Sequence, residues 1–171
     1  HRLNKNRVKL IYRALISIWY VIAAALPIII PVFSLPTPQG NHAVGTEVFH
    51  WVDSSKSEWF TPENLEDYRE TMVQLWYPGV LKSKQKPEPY MDYIDLRAVA
   101  IAEAGKLPSF LPSHLNLVET NSYKNLQYQS ANENIPVVVF SHGLTGSRFL
   151  HQSLFEHLAS YGYAVVAIDH S

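Results

Sequence analysis

The sequence predicts an α/β domain carrying an N-terminal transmembrane helix. Two antiparallel strands come first, followed by a parallel β-α-β unit. Three observations predict this: an uncharged apolar run behind a basic start, two alternating aromatic-rich segments, and a closing stretch that reads strand, glycine-containing turn, helix, strand.

Five of the 14 basic residues, Arg2, Lys5, Arg7, Lys9 and Arg13, precede the first acid, Glu47, so the net charge of -1 hides a basic start and an acidic body. An acidic body argues against a nucleic-acid partner, which requires a concentrated basic face. The uncharged run "ALISIWYVIAAALPIIIPVFSL", Ala14 to Leu35, would span roughly 33 Å as a helix, enough for a bilayer core. Basic residues before it and acidic chain after it place the start in the cytoplasm and the body outside. Pro27 and Pro31 mark a kink or a frayed end. A cleaved signal peptide with "ALISIWYVIAAA" as its apolar centre is the competing reading, opposed by the apolar residues that continue past it. A buried soluble helix is a third. The chain does not begin with Met, which leaves room for earlier residues.

With 47% hydrophobic and 17% charged residues the composition is that of a globular protein. The absence of cysteine excludes a disulfide scaffold, a thiolate metal site and a cysteine nucleophile. The expected organisation is anchor over 1–35, a Pro/Gly linker over 36–42 ("PTPQGNH"), and an α/β domain over 43–171.

"VGTEVFHWVDSS" and "ETMVQLWYPG" alternate and are rich in β-branched and aromatic residues, so they read as antiparallel strands joined by the long acidic loop "KSEWFTPENLEDYR". "YMDYIDLRAVAIAEAG" has apolar positions at Met91, Ile94, Ala98, Ile101 and Ala102, three and four apart, and reads as a helix ended by Gly105 and Pro108. "LPSFLPSHLNLV" is irregular and apolar, a cover over the core or over a substrate pocket. "IPVVVF" and "YAVVAID" read as strands buried on both faces. The helix between them puts Leu150, Leu154, Leu158 and Tyr161 on one stripe, with Thr145 or Ser147 as N-cap and Gly162 as its stop.

"FSHGLTGSR", Phe140 to Arg148, sits between the first parallel strand and its helix, where open α/β sheets hold their ligands. Gly143 leaves room for a substrate to approach the backbone. In α/β-hydrolases one oxyanion-hole N–H comes from this loop, and Leu144 is the candidate donor through its backbone. His142 reads as a brace inside the turn rather than a general base. Arg148 opposes the dipole of a helix start, so a carboxylate partner and a solvated side chain are both open. A nucleophile elbow, Gly-x-Ser-x-Gly, is absent: Ser141 has Val139 and Gly143 at the flanking positions, and Ser147 has Thr145 and Phe149. His151 and His157, six apart, do not share a helix face, and the histidines show no metal spacing.

The segments "VGTEVFHWVDSS", "RETMVQLWYPG" and "PVVVFSHGLTGSRFLHQSLFEHLASYGYAVVAIDH" resemble the front half of the plasma-type platelet-activating-factor acetylhydrolases and their bacterial lipase-like relatives. The resemblance runs from about Val44 onward, is weak between Tyr90 and Asn121, and is most specific at "FSHGLTGSR" and "YAVVAIDH". It implies the N-terminal half of an α/β-hydrolase sheet and a serine esterase acting on phospholipid or other lipid esters, without metal or organic cofactor. By the same resemblance Leu144 matches the oxyanion-hole residue, and the serine, aspartate and histidine of the triad lie beyond this stretch. Asp169 and His170 are structural residues in that comparison. The chain alone is then expected to be inactive. A membrane-anchored, non-catalytic binding module is the rival from a different class; the open edge of a "YAVVAID" strand counts against it, since a long unpaired apolar strand invites aggregation. A dienelactone-hydrolase-like or polyester-cleaving esterase is the rival within the enzymes.

If residues 14–35 form an uncleaved anchor, the protein should stay in the membrane fraction after a high-salt wash, because ionic screening does not weaken apolar burial. A shortened soluble product would identify a signal peptide instead.

Overall fold

The computed structural model describes residues 2–29, 31–129, 134–144 and 146–169. It divides into two compact units, His1–Phe33 and Ser34–Ser171. In the first, α1 runs Arg2–Ile29, and its Lys5–Ile28 stretch is long and apolar enough to cross a membrane. The helix takes in Pro27 near its end and stops before Pro31, short of Leu35, so the second proline marks the frayed end. A second proline lacks the N–H that would carry the ladder onward.

The second unit is a mixed sheet. β1 (Ala43–Ser57) and β2 (Tyr68–Val80) form a long antiparallel hairpin in register from Ala43↔Gly79 to Ser57↔Tyr68, with an irregularity between Asp53 and Ser57. The strands absorb Lys56, Ser57, Tyr68 and Arg69, which shortens the expected acidic loop from both ends. Helix α2 (Ile94–Gly105) buries Ala98 and Ala102, and the left-handed residue after it is Lys106, φ 52°, rather than glycine. A short helix α3 (Phe110–Ser113) and a 3-10 turn (His114–Leu117) follow. Val118 at their end is fully buried while Phe110 and Leu117 are exposed. Two short strands that alternation could not reveal, β3 (Ser122–Lys124) and β4 (Gln127–Tyr128), pair with β1 and β2.

The parallel unit is β5 (Val137–Ser141), α4 (Gln152–Ser160) and β6 (Ala164–Asp169). Its strands run parallel from Val137↔Ala164 to Ser141↔Ile168, and β6 also pairs antiparallel with β2 from Met72↔Asp169 to Trp76↔Val165. The strand order is β3-β1-β2-β6-β5. The open edge expected at "YAVVAID" is not there: the crossover carries β6 to a place between β2 and β5, and among the described residues β5 lies at one edge of the sheet. The expectation that both strands are buried on both faces also fails for β5, where Val138 and Phe140 turn inward while Val137 and Val139 remain 61% and 66% exposed.

The core is Val44, Trp76, Phe155, Ala159, Val165 and Ala167, with Val138, Phe140 and Leu158 packed against it. The Phe155 ring centroid lies 5.1 Å from that of Trp76 and 4.9 Å from that of Phe140. This corrects the predicted helix stripe: α4 buries Gln152, Phe155, Glu156, Ala159 and Ser160, whereas Leu150, Leu154 and Tyr161 are exposed. The N-cap expectation is corrected with it. The helix begins at Gln152, and Ser147 lies in the preceding turn, where its carbonyl accepts from Leu150 N–H at 3.3 Å. Thr145 falls outside the described residues.

The buried face of α4 is half polar because it also holds connecting segments. Glu156 accepts from the Asn121 backbone N–H and from Asn121 Nδ2, both at 3.0 Å, and from Gln152 Nε2 at 3.2 Å. Burial pushes its carboxyl pKa up. Ser160 Oγ accepts from Gly40 N–H at 3.0 Å, and the Ser160 carbonyl accepts from His42 N–H at 3.1 Å. A Cβ at Gly40 would lie 2.1 Å from that carbonyl oxygen, so only glycine allows the approach. The end of the expected linker is thus docked on the domain.

Phe155→Ala should destabilise the domain by about 3–5 kcal/mol in urea denaturation, while Leu154→Ala on the exposed face should cost about 0.5–1 kcal/mol. Equal losses would return the buried stripe to the leucines. The Glu156 pKa is raised in the folded state, so its contribution is fully present below the unfolded carboxylate pKa and is lost as pH rises through the folded value. The stability of Glu156→Gln relative to the parent should therefore increase from about pH 4 to about pH 8. A flat or falling difference would mean that the three donors hold the ionised carboxylate comfortably.

Candidate active-site turn

Strand β5 ends at Ser141 opposite Ile168, one residue before β6 ends at Asp169, so residues 142–144, 146–148 and Asp169 lie at the same end of the two strands. The turn is closed by Gly146 N–H donating to the Gly143 carbonyl at 2.9 Å. A Cβ at Gly146 would sit 2.8 Å from the Cβ of His142, which accounts for glycine there. Gly143 is different. No atom of the described residues lies within 4 Å of where its Cβ would be, so the space above it is open.

His142 braces the turn, its Nδ1–H donating to the Gly143 carbonyl at 2.9 Å, while Nε2 lies 3.8 Å from Asp169 Oδ1. Leu144 is 98% exposed, and its N–H has no hydrogen-bond partner among the described residues. An exposed N–H is satisfied by water and can exchange that water for another acceptor.

Arg148 settles what its sequence position left open. It lies before α4 rather than in its first turn, and its side chain is fully buried. The guanidinium pairs with Asp169 and Asp92, and Nε donates to Gln74 Oε1 at 3.1 Å. Its backbone N–H donates to Asp169 Oδ1 at 2.7 Å. Arg97 joins the cluster, with Nε 3.0 Å from Asp92 Oδ1 and Nη2 3.7 Å from Asp169 Oδ2. Two guanidiniums against two carboxylates leave no formal charge unbalanced. Asp169 therefore ties the end of β6 to the turn, a structural part consistent with its expected role; His170 lies outside the described residues.

Asp92, Arg97 and Gln74 were not found from the sequence. The one signal was Arg148 itself, a cation where a helix start disfavours one. A cavity of about 340 Å³ opens beside the cluster, lined in part by Gln74, Asp92, Tyr93 and Phe149. No group of three metal-ligating side chains occurs among the described residues.

Comparison with known proteins bears on the family and the fold. The family model described as platelet-activating factor acetylhydrolase, isoform II, matches residues 30–171. A Schizosaccharomyces pombe protein named "Putative phospholipase A2" is 30% identical over 148 residues, which is 82% of this chain and 32% of that one. The structure of a ferulic acid esterase from Streptomyces cinnamoneus superposes with a TM-score of 0.63 at 32% identity, covering 82% of this chain and 37% of the esterase. The chain thus spans about a third of the length of these relatives. Its sheet resembles that of a hydrolase, and with the family match extending from the end of α1 through the turn to β6, the chain belongs to the platelet-activating factor acetylhydrolase isoform II family.

Proposed function

We propose that residues 43–171 are the front part of a serine carboxylic ester hydrolase acting on phospholipid or other lipid esters, held at a membrane by residues 1–35 through the stretch 36–42. The reading rests on the Leu144 N–H, on an exposed residue and without a hydrogen-bond partner among the described residues, in a braced turn at the end of the strands. Such a donor is what a developing oxyanion requires, since it loses only water when the substrate arrives.

In the complete enzyme a serine hydroxyl outside these residues attacks the acyl carbonyl, and a histidine takes its proton. The carbonyl oxygen becomes an oxyanion held in part by the Leu144 N–H. The histidine then protonates the leaving alcohol, and water releases the acyl group by the same steps in reverse order. No metal or organic cofactor enters this chemistry.

Both relatives carry the names of ester-cleaving enzymes, a phospholipase A2 in one and a ferulic acid esterase in the other. The lipid reading is favoured by α1, because a helix able to cross a bilayer would hold the domain near lipid esters. The same helix supports location at a membrane with the hydrolase domain outside the cytoplasm.

The test is hydrolysis of short-chain nitrophenyl esters and short-acyl phospholipids by protein expressed from the complete coding sequence. Leu144→Ala should be nearly neutral, because it keeps the backbone donor. Leu144→Pro removes that donor and should lower kcat about 10²–10³-fold. Circular dichroism must show that the proline variant is folded, since proline also restricts Gly143 before it. A folded Leu144→Pro enzyme with near-normal kcat would remove the turn from the oxyanion hole.

A further inference from the structure

The turn is also held from a part of the chain outside the parallel unit. Three residues between β2 and β3 converge on Arg148 and Phe149. Tyr90 Oη donates to the Phe149 carbonyl at 3.4 Å, Asp92 bridges the guanidiniums of Arg97 and Arg148, and Arg97 reaches on to Asp169. Both guanidiniums also lie over the buried Phe149 ring, Arg97 Cζ at 4.7 Å from its centroid and Arg148 Cζ at 4.4 Å.

Stability alone does not call for this cluster. Buried ion pairs are often matched or exceeded by apolar side chains of the same volume, because desolvation offsets most of the attraction. What paired guanidiniums add is direction, since their planar donors fix the angle as well as the distance of each carboxylate. Here the fixed object is Arg148, four residues after Leu144 and bound to Asp169 through both backbone and side chain.

We propose that Asp92 and Arg97 are positioning residues for the turn: acting through Arg148, they set the direction of the Leu144 N–H, so that the segment carrying α2 governs turnover at this site. The effect on rate rests on the esterase reading above. A displacement of α2 pulls Asp92 and Arg97 together, and Arg148 cannot keep both carboxylates unless the turn follows. The segment carrying α2 is then coupled to catalysis.

The experiment uses protein from the complete coding sequence and two variants. Asp92→Asn keeps the shape and removes the charge that bridges the arginines. Arg97→Gln alters a side chain that is 28% exposed, and so leaves no fully buried group unpaired. Steady-state kinetics on nitrophenyl acetate are combined with amide hydrogen exchange of peptides covering residues 142–148, β2 and β6. Asp92→Asn should lower kcat about 10²-fold, the loss typical of a misplaced reacting group. KM should stay within about twofold, because ground-state binding is not what is lost. Arg97→Gln should act in the same direction, more weakly. Exchange in the turn should quicken about tenfold while β2 and β6 keep their protection.

Unchanged kcat in a folded Asp92→Asn enzyme overturns the proposal, as does loosening spread evenly over turn and strands. If Asp92→Asn does not fold, Arg97→Gln decides by the same two readouts. If the parent hydrolyses no ester, the esterase reading falls, and exchange alone decides whether the cluster fixes the turn.

Discussion

The buried guanidinium of Arg148 is the constraint around which the second unit is arranged. An unpaired charge at that depth would cost several kcal/mol, so the fold must bring acceptors to it from wherever the chain carries them. They come from three separate places: Gln74 in the middle of β2, Asp92 before α2 and Asp169 at the end of β6. Meeting that demand aligns β6 beside β2, where Ala167 faces Gln74, and draws residues 148–151 out of the helix that their sequence pattern suggested. It also places Phe149 beneath two cations, so that an aromatic ring and the ion cluster share one interior.

Helix α4 obeys a related rule one turn further on. Its inward face combines Phe155 and Ala159, which meet the sheet, with Glu156 and Ser160, which accept bonds from connecting segments, and Gln152, which donates to Glu156 one turn on. Those segments, residues 40–42 and Asn121 just before β3, have N–H groups outside the sheet ladder that must be satisfied on side chains and carbonyls. A purely apolar inward face would have left them unpaired. Leu154 stays outside, while Leu158 packs at the margin of the core.

This is also why the sequence revealed some elements and hid others. Strands β1, β2, β5 and β6 carry β-branched and aromatic alternation, which is local, and they could be located within a few residues. Strands β3 and β4, of three and two residues, are too short for any period to appear. The stripe on α4 was misread because hydrophobicity was taken as the mark of burial, whereas Glu156 and Ser160 are buried through bonds to residues 35 and 120 positions away. The position of β6 inside the sheet is a property of topology, and two equally apolar strands give no sign of which is the edge. In the turn, glycine and helix-start chemistry pointed to Gly143, Leu144 and Arg148, while Asp92 and Arg97 had no local feature to mark them.

The turn shows how a backbone donor can be left available without destabilising its surroundings. Every nearby group with a structural task has a partner within the fold: Gly146 N–H bonds the Gly143 carbonyl, His142 bonds the same carbonyl, and Arg148 N–H bonds Asp169. Leu144 N–H is left outside that accounting because it faces solvent, where water satisfies it at no cost to the folded state. Rigidity and availability are then supplied by different residues. The buried charges restrict where the turn lies, and the open space over Gly143 determines what can approach it. On the proposed esterase reading, a donor placed in this way would need no rearrangement when charge develops on a bound carbonyl, which is the physical content of electrostatic preorganisation.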